Sequence, residues 1–325
     1  MARLNRATVA KRVDFCHIEI MNRTLKNFIL RIAGKFNQDQ QKRLLLLGRD
    51  KAEAIKSKIK VNSLADVEFR IFSQWGEDGI IQYLISKIDI PNKIFVEFGV
   101  ENYLESNTRF LLINDNWSGL VIDGSRANIN FIRKDSISWR YDITAIHSFI
   151  TKDNINELIR QTVNEEDIGL LSIDIDGNDY WILDEIKIIK PRILICEYNS
   201  IFGGKHSVAT PYSPGFVRRK AHFSDLYFGA SLTAICELAN AKGFDFVGTN
   251  SAGVNAFFVR KDLSAPFKKY EPQEIFFPSK VRESRDENGR LSFLAGEKRL
   301  DAIKDLPVYH TTTKQLVLIR DLFNL

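Results

Sequence analysis

The stretch GLLSIDIDGNDY places Asp174, Asp176 and Asp179 within six residues of one another, at the end of an apolar run. A short apolar run bounded by Gly and Asn reads as a buried strand. Acids at its end lie where a parallel sheet opens into loops and helix N-termini. Two uses compete for them. Asp176 or Asn178 could cap the next helix, with Gly177 making the turn and Tyr180 and Trp181 packing. Alternatively, Asp174 and Asp176, together with Glu197 and Asn199 from the run ICEYNS, supply hard oxygen ligands suited to a divalent cation such as Mg²⁺. The pattern recurs along the chain. Glu97, Asp123, Asp142, Asp174 and Glu197 close five successive apolar runs, KIFVE, GLVID, SWRYD, LLSID and LICE.

Asp123 follows Glu97 at a spacing that suits an acceptor for the two hydroxyls of a ribose. The turn after the first run, EFGVENYLESN, has a single glycine, whereas a dinucleotide fingerprint needs three so that the backbone can approach a pyrophosphate. NAD and FAD are therefore disfavoured. A cofactor with a ribose but no phosphate, carrying an ammonium and a sulfonium, suits an acidic strand mouth; S-adenosylmethionine has that chemistry. In SQWGED, Gln74 or Glu77 could reach the same mouth, or Ser73 could cap a helix and Trp75 pack. The segment from 200 to 228 is too long and turn-rich for a plain connector and is expected to be a substrate loop. It carries His206 and His222, which join Asp174 and Glu197 as candidate general bases. Its RRK run, Arg218 to Lys220, could bind an acidic sugar or phosphate, or be solvated surface charge.

From residue 68 onward, short apolar runs alternate with helical patterns, which predicts a mostly parallel sheet with helices on both faces. EDGIIQYLISKI is the first helix. Others are expected from about Leu104 to Asn114, from 127 to 134, from Asp179, and over FGASLTAICELANAKG, with Gly243 as the stop. SWRYDI is expected to be a short strand ending at Asp142. Only SAG separates FDFVGTN from VNAFFVR, too little chain for a crossover, so these last two strands must be antiparallel. Residues 266–325 are expected to pack on the sheet domain. The expected organisation is a helical extension over 1–66, a Rossmann-like domain over 67–265, and the C-terminal extension.

Hydrophobic content of 44% and charged content of 27% are ordinary for a globular protein, and no apolar run is long enough to span a bilayer. Cys16, Cys196 and Cys236 are unclustered, which argues against a disulfide framework and a zinc site and makes the cytoplasm the expected compartment. Charge is uneven: residues 1–60 hold 15 Lys and Arg against 5 Asp and Glu, and the remainder is acidic. Ile18, Met21, Leu25, Phe28 and Ile32 fall on one helical seam of this basic region. Such a helix packs on its own domain or on a second subunit, making a homodimer, or docks to an acidic membrane surface or glycan-assembly partner. Nucleic acid is not expected, because the main body is acidic and lacks aromatic and basic interleaving.

FSQWGEDGII, FVEFGVENYLESNTRFL, WSGLVIDGS, SIDIDGNDYWIL, ICEYNSIFG, YFGASLTAICELA and GVNAFFVRKDL together resemble the FkbM-like branch of methyltransferases over roughly residues 68–265. The resemblance implies a class I methyltransferase sheet of seven strands with the last antiparallel, S-adenosylmethionine as cofactor, and transfer to an oxygen of a sugar, glycan or related metabolite. It also implies that Glu97, Gly99 and the following turn, Asn107 included, hold the methionine part, Asp123 the ribose and Asp142 the adenine amino group. Val100 and Glu101 depart from the family's small residues. Two rivals remain: a metal-dependent nucleotide-sugar glycosyltransferase reading LLSIDID as a DxD motif, and a non-catalytic assembly module.

Overall fold

The computed structural model describes residues 23–58 and 61–325, with side chains from residue 40 onward. The chain divides into two compact units, Met1–Arg49 and Asp50–Leu325. Helix α1 (Arg23–Lys56) begins in the first. The predicted seam from Ile18 to Ile32 lies outside the residues whose side chains are described. No helix among the described residues is long and apolar enough to cross a membrane.

The second unit is built on a seven-stranded sheet. In chain order its strands are β1 (Ile94–Phe98), β2 (Ser118–Asp123), β3 (Ile143–His147), β4 (Asp167–Ile173), β5 (Lys190–Glu197), β7 (Phe244–Thr249) and β8 (Asn255–Arg260). Between β5 and β7 lies a two-residue strand of a separate sheet, β6 (Val208–Ala209). The spatial order is β3-β2-β1-β4-β5-β8-β7, with β8 antiparallel to both of its neighbours and the other pairings parallel. This is the class I methyltransferase architecture.

Strand side chains alternate between two cores because the pleat has period two. Val96, Phe98, Leu120 and Ile122 face one core with helices α6 (Ile155–Arg160), α7 (Asp179–Glu185) and α9 (Leu232–Ala241). Phe95 and Val121 face the other, with α2 (Glu77–Lys87), α3 (Arg109–Asn114) and α4 (Arg126–Lys134). In α2, Ile80, Ile81 and Leu84 are fully buried, the 3,4 spacing expected of a sheet-facing stripe.

Three local expectations are corrected. The run SWRYDI is not a strand: Ile137–Arg140 forms a short helix, α5, and β3 begins only at Ile143. Asp142 therefore precedes β3 and is exposed at the amino end of that strand, away from the mouth where a cofactor would lie. Four or five residues carry too little periodicity to separate a helical turn from a strand. The helix expected from Leu104 starts at Arg109, because Glu97 captures the backbone of Asn107 and Thr108 in a turn. A second, three-stranded sheet was not expected: β6 pairs with β9 (Pro307–His310), which pairs with β10 (Gln315–Leu318). Loop 200–228 and the C-terminal segment thus share a small core of Phe202, Leu226, Tyr227, Ile303, Val308 and Ile319, all buried.

Candidate functional site

The sheet reverses direction between β1 and β4, since the chain runs outward through β2 and β3 on one side and through β5 on the other. Loops diverge at such a point and leave a crevice at the carboxyl ends of the strands. Gly99 lies there with φ +71°, and a Cβ on it would meet the Asp174 carbonyl oxygen at 1.6 Å, so only glycine fits. The missing glycines of this turn have a structural counterpart. Glu101 (φ 47°) and Tyr103 (φ 63°) take the left-handed conformation with side chains attached, a strain that the surrounding contacts must hold. Tyr103 is fully buried, its hydroxyl bonded to Thr108 and its carbonyl accepting from Arg109.

Glu97 is buried under this turn. One carboxylate oxygen accepts from the Asn107 amide at 2.8 Å and the other from the Thr108 amide and hydroxyl. Burial pushes its pKa up to about 7 against these bonds. Asp123 ends β2. Oδ2 accepts from the Glu101 amide at 2.8 Å and Oδ1 from the Ser125 amide at 2.7 Å and the Asn128 side chain at 3.3 Å, so Oδ2 keeps a further lone pair at the edge of the crevice. Beyond Asp123 a cavity of about 180 Å³ is walled by Ile122, Phe149, Ile150 and Phe216, with Ser148 and Gly124 at its edge. A second cavity of about 320 Å³ shares Gly99, Glu101, Asp174 and Asp176 with it and extends past Gln74, Asn107 and Glu197. The two cavities adjoin at these four shared residues.

The carboxylates of the opening stretch divide their work. Asp179 is completely buried and accepts from the amides of Ile175 at 2.8 Å and Gly177 at 2.9 Å, holding the turn between β4 and α7. Burial raises its pKa to about 6. Gly177 admits the Phe216 ring, which a Cβ would meet at 2.2 Å. Asp176, in a left-handed conformation, is exposed and ion-paired to Arg218 at 2.8 Å. Asp174 and Glu197 remain for chemistry. Their oxygens lie within 4.8 Å of each other, and both are held well above the usual carboxylate range, first by burial and then by neighbouring acids. Two such groups share one proton rather than ionise together. Glu197 Oε2 is buried without a partner.

All four residues of the predicted metal set line the crevice, but Asp176 and Asn199 have other partners. The Asn199 amide donates both hydrogens, to the Leu226 and Phe228 carbonyls, and its oxygen accepts from Ile201, so it ties down loop 200–228. Asp176 faces Arg218. Oxygens of Asp174, Asp179 and Glu197 do lie within 4.8 Å of one another, and each oxygen of Asp179 also accepts one backbone amide. Of the predicted set, only Asp174 and Glu197 therefore belong to the close cluster of acid oxygens.

Of the other predicted residues, Gln74, Glu97, Gly99, Asn107, Asp123 and Asp174 line the crevice. His206 and His222 do not. His206 packs on Phe323 in the C-terminal segment, and His222 hydrogen-bonds Ser224. Neither is a general base for a reaction in the crevice. Glu77 bonds the Trp75 amide and the side chains of Asn250 and Asn255, fastening α2 to the β7–β8 hairpin. Ser73 does not cap alone: its hydroxyl accepts from the Asp78 amide while Asp78 accepts from the amides of Ile71, Phe72 and Ser73. Ser148, Phe149 and Phe216 were missed. The first two follow the true end of β3, and an earlier start for that strand hid them; Phe216 gave no local signal.

No protein-family model and no curated protein matches the chain. Among solved structures, a SAM-dependent methyltransferase from Aquifex aeolicus is 9% identical, with 64% of this chain and 97% of that one covered at a TM-score of 0.35. An S-adenosylmethionine-dependent methyltransferase from Clostridium acetobutylicum is 10% identical, covering 57% of this chain and 90% of that one at 0.38. M. capricolum TrmK, in complex with S-adenosyl-homocysteine, is 11% identical, with 56% and 67% covered at 0.34.

Proposed function

We propose that this chain is an S-adenosylmethionine-dependent O-methyltransferase acting on a hydroxyl of a sugar, glycan or related metabolite. The observation that carries the reading is the pair of adjoining cavities at the strand mouths, one with Asp123 and aromatic side chains in its wall, the other with the Asp174–Glu197 pair. The slot between Phe149 and Phe216 suits a flat purine, and Asp123 suits the two hydroxyls of its ribose. The acids around Gly99 favour the ammonium and the sulfonium, and the single glycine suits a cofactor without a phosphate. Resemblance of the motifs to FkbM-like enzymes points the same way for transfer to oxygen.

When bound, S-adenosylmethionine supplies a methyl group on a positively charged sulfur, which leaves with the carbon–sulfur bonding pair as the acceptor oxygen attacks. The chain's own residues position and deprotonate. Asp174 and Glu197 share one proton and one negative charge, and the charged partner accepts the hydroxyl proton as the carbon–oxygen bond forms. Phe216 and Arg218, both from loop 200–228, line the cavities.

Thermal denaturation with S-adenosylhomocysteine, set against UDP-glucose with Mn²⁺, tests the reading. At a hundredfold excess over its Kd, S-adenosylhomocysteine adds about 2.7 kcal/mol of apparent stability. The Asp123→Ala variant loses most of that gain. Stabilisation by UDP-glucose and Mn²⁺ alone would put a glycosyltransferase in its place, and no response to either ligand would leave a non-catalytic module.

A further inference from the structure

The crevice is acidic beside Gly99, but it also carries Arg218, close enough to act on Glu197, and Arg299. Arg218 is fixed by three contacts: Nη1 donates to Asp176 at 2.8 Å, Nε donates to the Asp225 carbonyl at 2.6 Å, and the guanidinium carbon lies 3.8 Å from the centre of the Phe228 ring. These commit Nε and Nη1 and leave Nη2 for a ligand. Arg299, from helix α10 (Glu297–Asp301), lines the same cavity. Its Nε is buried with no hydrogen-bond partner. The charge acting on Arg299 is that of Arg218, of the same sign. From Arg299 the wall continues into an adjoining cavity of about 370 Å³ that also contains Lys280 and Arg282.

A guanidinium with a buried, unmatched donor beside a second guanidinium is destabilised until an anion joins them. A solvated surface arginine would keep Nε in water; Arg299 does not. We propose that Arg218 and Arg299 form an anion subsite for the acceptor, so that the methyl-accepting molecule carries a carboxylate or phosphate bound between them. Forked guanidinium donors match two oxygens of either group. This deepens the methyltransferase reading and rests on it. The same cavity holds the Asp174–Glu197 pair, which repels an anion and accepts from a neutral hydroxyl. An acceptor with one oxyanion and one reactive hydroxyl is thereby oriented, its charged end on the arginines and its hydroxyl toward the carboxyl pair.

Calorimetric titration of the full chain, saturated with S-adenosylhomocysteine and at constant ionic strength, compares inorganic phosphate, glucuronate and neutral glucose. At least one anion binds, and glucose binds at least about tenfold more weakly than the tighter of the two anions, the size of one charge-assisted contact. Arg299→Gln weakens anion binding about tenfold or more while S-adenosylhomocysteine affinity is unchanged, and Arg299→Lys recovers part of the loss. Preference for phosphate or for glucuronate identifies which oxyanion the site takes. Anion affinity unaltered in Arg299→Gln, glucose bound as well as the tighter anion, or neither anion bound by the wild type overturns the subsite. Failure of S-adenosylhomocysteine to bind in its own titration sinks the methyltransferase reading instead, and the anion titrations repeated without it still read the arginines.

Discussion

Glu97 carries the most consequential single ionisation in the site. A glutamate of ordinary pKa 4.5 titrates at about 7 in this fold because burial disfavours its charge more than the Asn107 and Thr108 donors favour it. Between those two values the folded chain holds a proton that the unfolded chain has released. The sign follows from linkage: the contribution is complete below the unfolded pKa and is lost as pH rises through the folded one, about 3 kcal/mol in all. Chemical denaturation of wild type and Glu97→Gln from pH 4 to 8 measures this. The wild-type curve falls relative to the variant as pH rises toward 7 and levels off above it; parallel curves would mean that Glu97 ionises with its ordinary affinity. Asp78 and Asp179, each raised to about 6, push both curves the same way and cancel in the difference.

At the scale of elements, the site depends on turns that follow strands. The β4–α7 turn is held by one side chain, because Asp179 at the first helical position reaches back to the amides of Ile175 and Gly177. Asp179→Ala leaves two amides without their acceptor and lowers stability by about 2–4 kcal/mol. Denaturant titration checks the value, and a loss within 0.5 kcal/mol would show that the turn is held by something else. This is also where local reading succeeded and failed for physical reasons. The runs ending at Glu97, Asp123, Asp174 and Glu197 are buried on both faces, so their apolar length marks the strand and its end marks the sheet edge. SWRYD has no such length, and Trp139 and Arg140 are simply the exposed end of a helical turn, with Arg140 stacked on Trp139.

At the scale of the whole molecule, the crevice balances its own charge. Asp176 faces Arg218, Asp179 is satisfied by backbone, and the Asp174–Glu197 pair keeps one proton. One negative charge is then left at the pair, and the nearby Arg218 guanidinium opposes a divalent ion there. Calorimetric titration with Mg²⁺ accordingly gives the same trace for wild type and Glu197→Gln; saturable binding in the wild type that the variant loses would restore a metal to this site. The sequence by itself determined the sheet, its antiparallel end and the acids at four strand mouths, because those features arise from the burial pattern of each run and from connections too short to cross over. The tertiary structure alone decided which residues of loop 200–228 face the crevice. That loop is pinned by β9, β10 and the buried side chains near the C-terminus, contacts between segments some hundred residues apart, so Phe216 and Arg218 enter the site beside Arg299 while His206 and His222 turn away.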